Sequence, residues 1–108
     1  MGTKKEVFRR RPGLAWREEK EARREVLATL EQGGDVADEG TLILVDSGQV
    51  FELNLLGADI WKLCDGERTV GEVVDDLIGR YDVEREELEG DVRAFLSQME
   101  GKGWMEQA

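Results

Sequence analysis

The chain has 108 residues, 40% of them apolar and 37% charged, with a formal net charge of −10 and no histidine. That length fits a single domain with a modest core. The acidic balance argues against nucleic acid, where affinity comes largely from neutralising phosphates with Lys and Arg.

The missing histidine removes the commonest general base and the commonest metal ligand. A lone cysteine, Cys64, excludes an internal disulfide. No apolar run approaches the roughly 18–20 residues of a membrane span. No apolar segment of signal-peptide type follows the first basic residues, and Met1-Gly2 followed by Glu6 does not fit a myristoylation pattern. A soluble cytoplasmic protein is expected. The charge is uneven: residues 1–24 net +5, whereas residues 25–108 net −15.

In chain order, residues 1–13 read as a basic, mobile arm (Lys4, Lys5, Arg9, Arg10, Arg11) closed by the breaker Pro12-Gly13. It is either a solvated tail or a docking element for an acidic partner. Leu14–Arg17 reads as a short strand anchored by Trp16. Glu18–Gln32 is rich in helix formers, with Ala22, Val26, Leu27 and Leu30 at helical spacing and Gly33-Gly34 as the stop. An acidic connector, Asp35–Gly40, follows.

Thr41–Gly66 is the centre of the pattern. Leu42–Val45 is a β-branch-rich run, and Asp46-Ser47-Gly48 is expected as a three-residue hairpin loop. In the second strand Phe51 and Leu53 point one way, Val50 and Glu52 the other. Asn54 is a good N-cap for a helix that runs from Leu55 to the stop at Asp65-Gly66. That helix carries Leu56, Ile60, Leu63 and Cys64 on one stripe, with Trp61 at its flank.

Thr69-Val70-Gly71-Glu72 has capping-box spacing. Behind it Val70, Val73, Val74, Leu77, Ile78 and Tyr81 form one helical stripe. A last helix begins near Glu84, with acids in its first turn where the macrodipole favours them. Its stripe is Leu88, Val92, Phe95, Leu96 and Met99. Gly101 and Gly103 end it, and Trp104-Met105 are expected to pack back on the core. Residues 106–108 read as a tail.

Chemistry-bearing clusters are missing from this pattern. Cys64 lies on an apolar stripe without partners for zinc or iron–sulfur binding, so it reads as an inert core thiol. The neighbouring acids Asp75-Asp76 and Glu86-Glu87 diverge on their helices. There is no phosphate-binding G-x-x-x-x-G-K-[ST] loop. No catalytic residue, metal or cofactor is expected. A DNA-reading helix is disfavoured by six acids (Asp82, Glu84, Glu86, Glu87, Glu89, Asp91) against Arg85. Strand Gln49–Leu53 has two readings: an ordinary protected edge, or an edge whose free N–H and C=O groups recruit an extended peptide.

Several pieces combine into a resemblance. They are Gly48-Gln49-Val50-Phe51-Glu52-Leu53-Asn54; Gly57-Ala58-Asp59-Ile60-Trp61 with Leu63 and Asp65-Gly66; Thr69-Val70 with Glu72-Val73; Leu77 and Tyr81; and Asp91-Val92 with Phe95-Leu96. Over Thr41–Met105 the chain resembles the PqqD family of peptide chaperones.

The resemblance implies an α+β, winged helix-turn-helix-like fold, with a three-stranded antiparallel sheet and three helices, and no catalysis. It implies binding of the leader of a ribosomally made precursor peptide and delivery to a radical S-adenosylmethionine maturase. The charge layout looks most like the branch paired with SPASM-type enzymes. Carried across, the leader would pair with Gln49, Val50, Phe51, Glu52 and Leu53, against a helix face holding Arg85, Leu88, Val92 and Met99.

The departure is an extra helical insertion at 19–40 in the expected domain, 14–105. It leaves open a homodimer formed by exchange of the N-terminal segment. A winged-helix transcription regulator and a non-catalytic scaffold module are the alternatives.

Overall fold

The computed structural model describes residues 5–108. Among these the chain forms β1 (Val7–Arg10), β2 (Ala15–Glu18), α1 (Lys20–Glu31), β3 (Gly40–Asp46), β4 (Gln49–Asn54), α2 (Leu55–Leu63), β5 (Asp65–Thr69), α3 (Val70–Ile78), α4 (Arg85–Gly101) and β6 (Met105–Gln107). The fold is α+β, with two three-stranded antiparallel sheets, β2-β3-β4 and β5-β1-β6, where a single sheet was expected. The chain divides into two compact units. A hairpin unit spans Gly13–Asp59, and a helical unit joins the residues up to Pro12 with Ile60–Ala108.

In the hairpin unit β3 alternates. Leu42 and Leu44 are fully buried, while Ile43 is half-buried and Val45 exposed. The loop to β4 is tighter than expected. Asp46 pairs with Gln49, leaving a two-residue turn, Ser47-Gly48, with φ of 55° and 81°. Two successive positive φ values mark a type I′ turn, whose twist suits antiparallel strands and favours Gly at its second position.

Asn54 caps α2 as its residue type implies: its Oδ1 accepts the Gly57 N–H at 2.8 Å, and its Nδ2 donates to the Ala37 carbonyl at 2.8 Å. The helix expected over the insertion forms, but of its apolar stripe only Val26 is buried; Leu27 and Leu30 stay exposed. The insertion is held through Arg23 instead. Its Nη1 donates to Asp59 Oδ1 at 2.8 Å, and that carboxylate is only 2% exposed. A charge so deeply buried requires a partner of this kind.

In the helical unit the arm expected at residues 1–13 is corrected for its described part. Val7–Arg10 is the central strand, flanked by β5 and β6. Phe8 is buried and supplies core. Arg10 reaches the last turn of α2, where its Nη1 donates to the carbonyls of Trp61, Lys62 and Cys64 at 2.8, 3.1 and 3.2 Å. These are carbonyls a helix end leaves unsatisfied, at the negative pole of its dipole. Arg9 pairs with Glu106 on β6. The remaining part of the arm, residues 1–4, lies outside the described residues.

β6 takes in residues 106 and 107 of the expected tail. β5 begins at Asp65-Gly66, where only the stop of the preceding helix was expected, with Gly66 at φ 88° beside Arg9. The capping box of α3 is present: Thr69 Oγ1 accepts the Glu72 N–H at 3.1 Å, and Glu72 Oε1 accepts the Thr69 N–H at 2.9 Å. Behind it Val70, Val73, Val74 and Leu77 are buried. Trp104 and Met105 pack inward, as expected. Trp61, expected at a flank, is fully buried. Among the described residues no helix is long and apolar enough to cross a membrane.

Candidate functional site

β4 is an edge strand. Among the described residues it pairs with β3 alone, from Asp46↔Gln49 to Leu42↔Leu53. The type I′ turn fixes which backbone groups that pairing uses. In a two-residue hairpin the residues flanking the turn exchange both hydrogen bonds, and bonded and non-bonded pairs then alternate. Asp46–Gln49, Leu44–Phe51 and Leu42–Leu53 are therefore the bonded pairs. Val50 and Glu52, opposite Val45 and Ile43, turn their N–H and C=O groups away from β3. A row of such groups is a template for an added strand.

The side chains alternate as expected. Leu53 is buried and Phe51 half-buried, on the face that holds Leu42 and Leu44. Val50 and Glu52 are exposed on the other face, and Val50 keeps 63% of its surface in solvent. Gln49 is exposed beside the turn.

Val50 closes one side of a concavity of about 300 Å³ lined also by Ala15, Trp16, Arg17, Ile43 and Val45. Sequence reasoning did not single out these β2 and β3 residues. The signal was the alternation hidden in Leu42–Val45, which as an unbroken apolar run does not show two faces.

The four expected helix residues belong to the other unit. Leu88, Val92 and Met99 are buried along one stripe of α4. Arg85 is exposed in the first turn of α4, with its Nη2 2.5 Å from Asp75 Oδ1. Cys64 is buried, and burial pushes its thiol up to about 12. Such a thiol carries almost no thiolate near neutrality and is a poor nucleophile. Among the described residues no group of three His, Cys, Asp or Glu side chains is placed to hold a metal ion.

This arrangement can be compared with known proteins. The family model described as "Coenzyme PQQ synthesis protein D (PqqD)" matches residues 39–105. The PqqA binding protein of Bradyrhizobium diazoefficiens is 38% identical over 66 residues, covering 61% of this chain and 64% of that protein. The PqqA binding protein of Rhodopseudomonas palustris strain BisB5 is 36% identical over 53 residues, 49% of this chain and 52% of that one. The chain thus spans between half and two thirds of the length of these relatives.

Among solved structures, a lasso peptide synthetase B1 complexed with the leader peptide superposes with a TM-score of 0.65 at 23% identity, covering 92% of this chain and 96% of that one. The PqqD truncation of Methylobacterium extorquens PqqCD, a stand-alone RiPP recognition element, gives 0.63 at 22% identity, covering 93% and 88%. At such identity the likeness speaks to the fold. The family match takes in more than half of the chain, including all of β4 and α2–α4, so the chain belongs to the PqqD family.

Proposed function

We propose that this chain is a peptide chaperone: it binds the leader of a ribosomally made precursor peptide by strand addition to β4 and presents it to a radical S-adenosylmethionine maturase of the SPASM type. The observation that carries the reading is the one-sided pairing of β4. Main-chain bonds along such an edge give affinity that tolerates many sequences, and the side chains beside it give selectivity.

Support also comes from the relatives named for binding PqqA and from the structural neighbour solved with a leader peptide. Within the candidate set, Gln49–Leu53 form the binding edge. Leu88, Val92 and Met99, being buried, serve the packing of the helical unit, and Arg85 contributes charge at the surface of α4.

The test is calorimetry with the leader of the precursor encoded beside this chain, comparing the parent with Val50→Pro. Proline there removes an N–H that points away from β3, so the native ladder keeps its bonds and the hairpin folds. Binding is expected to weaken at least about tenfold, as one main-chain bond and the close approach of the guest are lost. Unchanged affinity in a variant with parental circular dichroism would refute strand addition.

A further inference from the structure

The outer face of the β2-β3-β4 sheet is organised in two rows. Pairing registers place Ala15, Val45 and Val50 side by side across the three strands, and Arg17, Ile43 and Glu52 in the next row. One row is wholly apolar. The other runs from a basic to an acidic side chain over an isoleucine. Both end at the β4 edge, in Val50 and Glu52, the two residues whose backbone groups face outward.

A strand added to β4 continues both rows by one residue. Cross-strand neighbours on one face are the units of sheet stabilisation, with apolar pairs and opposite charges favoured and like charges disfavoured. Beside Val50 lies the concavity of about 300 Å³, with aliphatic walls on this face from Ala15, Ile43 and Val45. Beside Val50 on the same face comes Glu52. Its carboxylate has no hydrogen-bond or ion-pair partner among the described residues, and its side chain lies against Gly40 in space that a side chain there would fill. The surrounding unit is acidic, with eleven acids and four basic residues over Gly13–Asp59, which favours a basic guest.

Resting on the strand-addition reading, we infer that the guest peptide carries an apolar residue opposite Val50 and a Lys or Arg opposite Glu52. In antiparallel register, the arrangement of every strand pair among the described residues, residue 52 is met first. The required pattern is therefore basic-x-apolar, read from the N-terminus of the guest, with the middle residue on the opposite face.

The experiment is selection of a displayed random 12-residue peptide library on the full chain, on Glu52→Lys and on Val50→Pro, followed by affinity measurements on synthetic consensus peptides. On the parent, basic-x-apolar sequences are enriched. Glu52→Lys inverts the first position to Asp or Glu, and matched peptides bind about fivefold more tightly than mismatched ones, the upper range of a cross-strand pair. Val50→Pro abolishes the enrichment. Peptides that need an intact Val50 but keep the same residue at the first position on Glu52→Lys overturn the register alone. Binding with no enrichment on the parent overturns the basic-x-apolar pattern alone, whereas peptides indifferent to Val50→Pro overturn strand addition itself.

Discussion

β1 and β4 are both short antiparallel strands, and they end in opposite situations. β1, in the helical unit, is bounded on both sides by β5 and β6, and its side chains are committed as well: Phe8 to the core, Arg9 to Glu106 and Arg10 to the end of α2. β4, in the hairpin unit, is bounded on one side, with Val50 largely in solvent. The strand richer in charge is the structural one, while β4, equally half apolar and also with one aromatic residue, keeps an open flank. Composition does not decide whether a strand is available to a guest; the neighbours of its backbone do.

That contrast can be broken by placing the same residue in both strands. Arg9→Pro in β1 lies in a central strand, where a ladder bond has to be lost, and it should destabilise by about 3 kcal/mol or more. Val50→Pro in β4 should change the stability measured by urea unfolding by only about 0.5 kcal/mol, the range typical of tolerated surface changes. Equal losses from the two would erase the distinction.

Smaller effects sharpen it. Phe8→Ala should cost about 3 kcal/mol in chemical denaturation, the usual range for emptying a buried aromatic site. Arg10→Met should cost about 1.5–3 kcal/mol, because three carbonyls at the end of α2 lose a charged donor. A solvated arm would show neither loss.

The least effect concerns Asp65 at the start of β5. Its carboxyl is held below the ordinary value by the Glu67 N–H first, then by the Arg68 N–H and guanidinium. A lowered folded-state value contributes stability above the ordinary carboxylate range and loses it as pH falls through the lowered value. Because the group is exposed, the gain is slight. The stability difference between parent and Asp65→Asn should therefore shrink between about pH 5 and pH 2 in parallel urea titrations. A difference independent of pH would remove the carboxylate from the account.

Much of the architecture was legible because its signals are local. The Asn54 cap, the Thr69–Glu72 capping box, the Gly48 turn and the 3.6-residue stripes of α3 and α4 each act within a few residues, and each is present. The split of Val50 and Glu52 from Phe51 and Leu53 follows from alternation alone. The second sheet was not legible. Its strands read VFRR, DGERT and MEQ, too short and too charged to alternate.

What the sequence by itself determined, then, is where helices start and which face of each strand or helix is apolar. Turn geometry, capping and periodicity are settled by neighbours along the chain. Only the tertiary structure decided that Val7–Arg10 is enclosed and Gln49–Asn54 is open. Strand partners are chosen by pairing over long separations: those of β1 lie about sixty to a hundred positions away, beyond the reach of any local pattern.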